Sequence, residues 1–162
     1  MMTTRQPRTL HLVDVENLVG SGRPTIRDLA VVHRLYRELQ LVGGQDHVVV
    51  ACNPYIAVDV AGQWAPARLR VGHGPSGADR QLLDVALHER ITARFDHVVI
   101  ASGDRVFTDT AVGLQAAGLP VTVVSRRDRL ALRLRMAATQ VRYLDEPPAA
   151  VAAPATMLRK VA

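Results

Sequence analysis

Short apolar runs alternate with longer amphipathic segments along the chain, and this alternation limits the fold more than any other feature of the sequence. Six runs are typical of strands, at residues 10–15, 47–52, 67–71, 97–102, 120–125 and 139–144. Helical spacing of the apolar residues predicts helices between them, at about 26–41, 54–64, 78–95, 107–118 and 129–138. Strands and helices in this order predict an α/β fold of three layers (αβα). Its Rossmann-like, mostly parallel sheet of five to six strands would lie between the helices.

The length of the chain indicates a single domain with short extensions. A chain of 162 residues fits one domain, which we expect over 9–144, after an N-terminal arm over 1–8 and before a Pro/Ala-rich flexible tail over 145–162. We find no secretory signal and no apolar run long enough to span a membrane. The single cysteine, Cys52, is compatible with a reducing compartment. We therefore expect a cytoplasmic protein with no membrane partner, and the sequence leaves a monomer and a homodimer open.

Most of the positive charge lies in one segment near the end of the expected domain. The net charge is +5, and residues 126–142 contain six arginines against the single acid Asp128. Arginine forks suit phosphate groups, so this segment predicts a polyanionic partner such as a nucleic acid. The candidate nucleic-acid-binding residues are Arg126, Arg127, Arg129 and Arg133. The alternative is a solvated face of an amphipathic helix.

Aspartates occur where predicted strands end and where the neighbouring helices begin. Asp14 ends the first strand, and Asp104 follows the fourth in the sequence VVIASGD. Ligands of open α/β sheets lie at the carboxyl ends of the strands, so these two acids converge if the first and fourth strands are neighbours. Further candidate acids lie in the first turns of two helices, Asp79 and Asp84 in one and Asp109 in the next.

The clustering of these carboxylates predicts a divalent metal site. Carboxylates held together repel one another unless a cation neutralises them, and Mg²⁺ and Mn²⁺ prefer such oxygen ligands. A metal of this kind activates water for attack on a phosphodiester. Each acid also has a structural alternative as a helix cap, a turn residue or an exposed charge. Ser76 and Asp79, for example, have the spacing of a capping box.

Four short motifs, in this order, resemble the NYN domain family, a branch of the PIN-like metal-dependent nucleases. They are LVDVENL at 12–18, GAD at 77–79, IASGD at 100–104 and AAGLPVTVVS at 116–125, within a match over about residues 9–144. The resemblance implies a PIN-like sheet and a Mg²⁺- or Mn²⁺-dependent ribonuclease, with RNA as the partner.

The resemblance also implies roles for individual residues. Asp14, Asp79 and Asp104 would bind the metal directly or through water. Asn17 would hydrogen-bond within the site and hold Asp14, which makes it the fourth member of the catalytic set. Glu16 fits the motif, and a surface role fits it equally. Two acids, Asp84 and Asp109, are candidates for an additional carboxylate.

One position departs from the family pattern. Many NYN domains carry a second aspartate two residues after Ser-Gly-Asp, where this chain has Val106. Asp109, about one helical turn further along, either replaces that acid or only begins a helix. Two other functions therefore stay open: an RNA-binding or adaptor domain with a degenerate nuclease site, and a phosphatase-like enzyme acting on small molecules.

The remaining motifs favour less specific roles. GHGPSG at 72–77 matches a dinucleotide-binding glycine pattern, but it follows the third strand and contains Pro75. A loop flanking the acidic cleft is the better interpretation. The histidines lack the spacing of a zinc site. Tyr55 and Trp64 suit either base stacking or packing.

Overall fold

A computed structural model describes residues 6–145, which form six strands, seven α-helices and two short 3₁₀ turns. The strands are β1 (Thr9–Asp14), β2 (His47–Cys52), β3 (Arg68–Val71), β4 (His97–Ala101), β5 (Val121–Ser125) and β6 (Gln140–Tyr143). The helices are α1 (Val15–Val19), α2 (Ile26–Glu38), α3 (Ala57–Trp64), α4 (Gly77–His88), α5 (Ile91–Arg94), α6 (Thr108–Ala116) and α7 (Leu132–Ala137). The 3₁₀ turns are Pro54–Ile56 and Arg105–Phe107. Most of the expected tail over 145–162 and of the arm over 1–8 lies outside the described residues.

The six strands form one parallel sheet in the order β3-β2-β1-β4-β5-β6. The predicted three-layer, Rossmann-like α/β fold is confirmed, and so is the expectation that the first and fourth strands are neighbours. Leu12 of β1 lies between Val49 of β2 and Ile100 of β4. The chain crosses from the β3 edge back to β4, so the order of the strands reverses beside β1. Ligands of this fold bind at that reversal, outside the carboxyl ends of the strands.

Two hydrophobic cores cover the two faces of the sheet, because successive side chains of a strand point to opposite faces. In β1, Leu12 belongs to the core under α4, α6 and α7, and Val13 to the core under α2 and α3. Both side chains are fully buried. The central strands are mostly apolar for this reason, and their buried polar residues are His11, Asp14, Thr122 and Ser125. Among the described residues, no helix is both long enough and apolar enough to cross a membrane.

Three predicted helices, over 26–41, 78–95 and 129–138, are shortened or divided; a left-handed residue accounts for two of them and a backbone hydrogen bond for the third. Helix α2 ends at Glu38, and Gln40 then adopts a left-handed conformation with φ of 54°. The predicted helix over 78–95 is divided by Arg90, also left-handed with φ of 53°, into α4 and α5. Helix α7 begins only at residue 132, because the Ala131 N–H donates to the Gly103 carbonyl and residues 129–131 lie against the β4 loop.

Candidate active site

Two buried aspartates meet where the strand order reverses. Asp14 is the last residue of β1, and Asp79 lies in the first turn of α4; their exposed fractions are 4% and 9%. Their carboxyl groups are within hydrogen-bonding reach of each other. Burial, and next the charge of Asp79, raises the pKa of Asp14 to about 8, and burial raises the pKa of Asp79 as well. In the metal-free chain at neutral pH, the pair therefore holds a proton that two isolated carboxylates would release.

The glycine-rich loop before α4 delivers Asp79 to this position. The backbones of Gly72 and Gly77 touch so closely that a Cβ on either residue would overlap the other's main chain. The Arg80 guanidinium holds the loop by donating to the carbonyl oxygens of residues 73 and 75, at 2.7 and 2.6 Å. Ser76 is left-handed, with φ of 53°, and its side chain does not cap the helix. The capping box with Ser76 is therefore not formed, and the Asp79 carboxyl group interacts with the side chains of both Asp14 and Ser76.

The Ser102–Gly103–Asp104 turn after β4 connects the third aspartate to the pair. The Ser102 hydroxyl donates to Asp14 Oδ2 at 3.2 Å and accepts from the Asp104 N–H at 3.2 Å. It is fully buried. Residue 102 thus links both strand ends, a role that the sequence did not indicate, since serine is common in turns.

Asn17 fixes this turn, although not in the way that the resemblance implied. Its side-chain oxygen accepts from the Gly103 N–H at 2.8 Å, and only its backbone N–H donates to Asp14 Oδ1, at 3.2 Å. The Asn17 side chain therefore holds the turn that carries Asp104, and the helix backbone holds Asp14. Glycine is required at position 103, since a Cβ there would lie on the Arg129 carbonyl oxygen and 2.5 Å from Ser125 Oγ.

A cleft of about 790 Å³ opens beside the pair. Its acidic wall contains Asp79, Asp104 and Asp109, so the acid that begins α6 lies in the same cleft as the other two. The charge of Asp104 contributes to the raised pKa of Asp79, after burial. Asp104 is also a helix cap, because its Oδ1 accepts from the Val106 N–H at 2.9 Å. Val106 itself lies on the rim and is 41% exposed.

Two arginines line this cleft as well. Arg133, from α7, was predicted; Arg105, directly after Asp104, was not. Both side chains are exposed, and neither makes a hydrogen bond or ion pair with another residue within 6–145. Charged groups in proteins are usually paired when a partner is near, so two unpaired guanidinium groups beside three carboxylates are available for an anionic ligand.

The other three candidate arginines contact residues outside this cleft. Arg126 donates to the Val19 carbonyl at 3.0 Å, and Arg129 donates to the carbonyl of residue 20 at 3.1 Å. Arg127 lies 4.2 Å from the centre of the Tyr143 ring. Arg129 and Arg133 do not share a helical face, although they are four residues apart, because α7 begins after residue 129.

Two further acids occupy different surroundings. Asp84 lies outside the cleft lining, on α4, where it pairs with Arg70 at 2.7 Å and His88 at 3.0 Å. The structure therefore removes Asp84 from the set of converging acids. Glu16 is half-buried, and its carboxylate accepts from the Asn53 N–H at 2.5 Å. Burial raises its pKa, and the charge of Asp79 contributes, so Glu16 borders the site.

The donor set suits a divalent cation held by few protein ligands. With the side chains as they stand, no three His, Cys, Asp or Glu residues within 6–145 are close enough to ligate one ion. Asp14 and Asp79 form a close pair, and Asp104 stands next to it. Mg²⁺ is commonly bound through one or two carboxylates, with water and substrate phosphates completing its shell. The buried carboxyl pair fits that pattern, because a cation would take the place of the proton that the pair now holds.

Comparisons with known proteins support the fold and assign no family. No protein-family model matches the sequence, and no curated protein matches it. A solved structure of a protein of unknown function, VPA0982 from Vibrio parahaemolyticus RIMD 2210633, is similar to this chain with a TM-score of 0.63 and 16% identity. The similarity covers 90% of this chain and 98% of that one. The likeness shows a shared fold and nothing about function.

A second solved structure is less similar. The glycotransferase of kitacinnamycin aligns with a TM-score of 0.38 and 18% identity, over 75% of this chain and 30% of that one. A similarity of this size bears on neither the fold nor the function of this chain.

Proposed function

We propose that the protein is a metal-dependent ribonuclease of the PIN-like kind that its resemblance to NYN domains implies. One observation carries the proposal: buried Asp14 is coupled to buried Asp79, and Asp79 lines a cleft whose other walls present Asp104 and unpaired arginines. Carboxylates packed in this way cost the apo fold stability, and such costs are characteristic of sites selected for function. Carboxylates within the cleft and arginines on its walls suit an enzyme that binds both a cation and a phosphodiester.

Each group would have a separate task. Asp14 and Asp79 would hold Mg²⁺ or Mn²⁺, with Asp104 contributing directly or through water. The bound ion would supply an activated water and charge stabilisation at the scissile phosphate. Arg105 and Arg133 would bind the phosphate oxygens and orient the strand. Ser102 and Asn17 would act as positioning residues, because their hydrogen bonds fix the two strand ends against each other.

The choice of RNA rests on the resemblance, since no group in the cleft is specific to a ribose 2′-hydroxyl. The cytoplasm is the proposed place of action, for the same reasons that the sequence indicated. The net charge of +5 supports a polyanionic substrate in general.

An RNA-binding domain with a degenerate site is the second candidate, and the position of Val106 favours it. The residue in place of the second family acid is apolar and 41% exposed on the rim. Asp104 is partly engaged in capping the turn beside it. Calorimetry separates the two candidates, because a degenerate site binds RNA but takes up no Mn²⁺ at millimolar concentration, whereas a working site binds both.

Cleavage of single-stranded RNA tests the proposed activity. The purified chain should cleave a labelled RNA with Mn²⁺ or Mg²⁺ and stop on addition of EDTA. Asp79→Asn and Asp104→Asn should each lower the rate at least about 100-fold, as expected for loss of a metal-binding group. Asp84→Asn is the matched control, an aspartate on the same helix as Asp79 but outside the cleft lining, and it should retain activity. Full activity in Asp104→Asn would place the active site elsewhere.

A further inference from the structure

The most exposed aromatic side chain among residues 6–145 stands at the same edge of the sheet as the acidic cleft. Tyr55 follows the carboxyl end of β2, the strand next to β1, and is 79% exposed. Trp64, the other aromatic considered for stacking, is 5% exposed and packs against His33 and Tyr36. The structure therefore separates two residues that the sequence could not: Trp64 is a core residue, and Tyr55 presents its ring to the solvent.

Hydrogen bonds anchor the backbone of Tyr55 despite the exposure of its side chain. It belongs to the 3₁₀ turn Pro54–Ile56, and Asn53 caps that turn by accepting from the Tyr55 N–H at 2.9 Å. The Asn53 side chain also donates to the carbonyl of Gly22 at 2.7 Å, and its backbone N–H donates to Glu16 at 2.5 Å. These bonds join the turn to the segment after α1 and to the acid that borders the active site.

The segment that Asn53 joins to this turn also places a cation beside the Tyr55 ring. Arg23, next to Gly22, places its guanidinium 5.1 Å from the centre of the Tyr55 ring. One face of the ring is therefore occupied by the guanidinium, and the exposure of the side chain leaves the other open. An open aromatic face backed by a guanidinium group matches what single-stranded nucleic acids require, since a base stacks on the ring and the charge attracts a phosphate.

We propose that Tyr55 and Arg23 form a stacking platform for an unpaired base of the RNA substrate. This inference rests on the proposed ribonuclease function and adds a base-binding site to it. Bases of a duplex are stacked within the helix and cannot present a face to Tyr55, whereas bases of a single strand are free to do so. The platform and the cleft both lie at the carboxyl ends of the strands.

Binding measured without cleavage tests the platform. Fluorescence anisotropy in EDTA would give the affinity of a labelled single-stranded RNA and of an RNA hairpin duplex of the same length. Tyr55→Ala should weaken single-strand binding by about 5- to 150-fold, the range expected from loss of one base–aromatic stack. Tyr55→Phe keeps the ring and should stay within about twofold of wild type. Val58→Ala is the control, because Val58 is an exposed apolar residue on the adjoining helix, 85% exposed.

Two further readouts distinguish stacking from a general loss of charge or fold. Tyr55→Ala should leave the salt dependence of single-strand binding unchanged, since no phosphate contact is removed. It should also leave duplex binding unchanged. Equal weakening for the duplex, or a wild-type affinity in Tyr55→Ala, would overturn the platform.

The cleavage assay separates failure of this inference from failure of the proposed function. If wild type cleaves RNA with Mn²⁺ but Tyr55→Ala binds like wild type, the nuclease stands and the platform is wrong. If wild type binds single strands through Tyr55 but does not cleave them, the platform stands and the nuclease is wrong. If wild type does not bind RNA, both are wrong, and the exposed ring serves a different partner.

Discussion

Replacing Asp14 by asparagine should stabilise the metal-free protein. Asparagine keeps an oxygen acceptor for the Asn17 N–H, which now donates to Asp14 Oδ1 at 3.2 Å. Its amide N–H group takes the place of Oδ2, which now accepts from the Ser102 hydroxyl, and that hydroxyl can turn to accept from the amide. The variant therefore removes a titrating group from a buried position without removing its shape. A protein whose carboxylates are arranged to bind a cation is expected to become more stable when one of these carboxylates is neutralised.

The sign and size of the effect follow from the raised pKa of Asp14. Its pKa is about 8 in the folded chain against an ordinary value of 3.8, so the folded state holds a proton that the unfolded state releases between these values. Stability from the neutral carboxyl group is therefore fully present at low pH and is lost as the pH rises towards 8. At pH 7, about 3 pH units at about 1.4 kcal/mol each give a limit on the order of 4 kcal/mol. Relaxation of both states reduces the measured value, so we expect about 1–4 kcal/mol.

Urea unfolding followed by circular dichroism, in EDTA from pH 5 to about pH 8, measures this quantity. The difference between Asp14→Asn and wild type should grow with pH. Buried His11, whose pKa burial lowers, titrates in both proteins and cancels in the difference. Asp59→Asn, an exposed acid in the first turn of α3, is the control and should show no such growth. A difference in unfolding free energy that is constant with pH, or a destabilised Asp14→Asn, would show that the buried Asp14 carboxyl group does not hold this proton.

Three other outcomes follow from the same site. Mn²⁺ binding at pH 7 should release about one proton, because the cation replaces the proton held by the carboxyl pair. Calorimetry in buffers of different ionisation enthalpy measures the number of protons released. Binding without proton release would show that the carboxyl pair is not the binding site. Gly103→Ala should lower the free energy of unfolding by at least about 2 kcal/mol, because its Cβ would lie on the Arg129 carbonyl. Gly113→Ala, on a helix with open space around it, should be neutral or stabilising in the same urea titrations; equal effects would mean that the turn is not tightly packed. Arg133→Ala should lower the slope of the logarithm of the RNA-binding constant against the logarithm of salt concentration by about 0.7. The free energy of unfolding should stay within about 0.5 kcal/mol of wild type. An unchanged slope would show that Arg133 does not bind RNA.

The fold was accessible to sequence reasoning because its main signals are local. Strands buried on both faces are nearly continuous apolar runs, and β2, β4 and β5 show them directly. The order of strands and helices then leaves few topologies. The placement of Asp14 and Asp104 at one edge follows from parallel strands whose ends coincide. Helix ends were less accessible, because the break at Arg90 depends on one left-handed residue that no apolar pattern marks.

The details of the site depend on contacts between distant segments, and sequence patterns do not contain them. Asn17 looked like a partner of Asp14, yet its side chain accepts from Gly103, 86 residues away. Arg126 and Arg129 looked like ligands of a polyanion, yet both donate to carbonyls near the end of α1. Arg105 was overlooked because a single arginine after Ser-Gly-Asp carries no pattern. Charge clustering predicted that arginines line the cleft, but only tertiary structure separates free guanidinium groups from engaged ones.

The central claim is that the carboxylates at the strand reversal hold a divalent cation. Anomalous diffraction from a crystal soaked in millimolar MnCl₂ tests it most directly. We expect one or more manganese peaks bounded by Asp14, Asp79 and Asp104, absent from an Asp14→Asn crystal soaked in the same way. A map without manganese at these residues, or with manganese only at other acids such as Asp84, would contradict it.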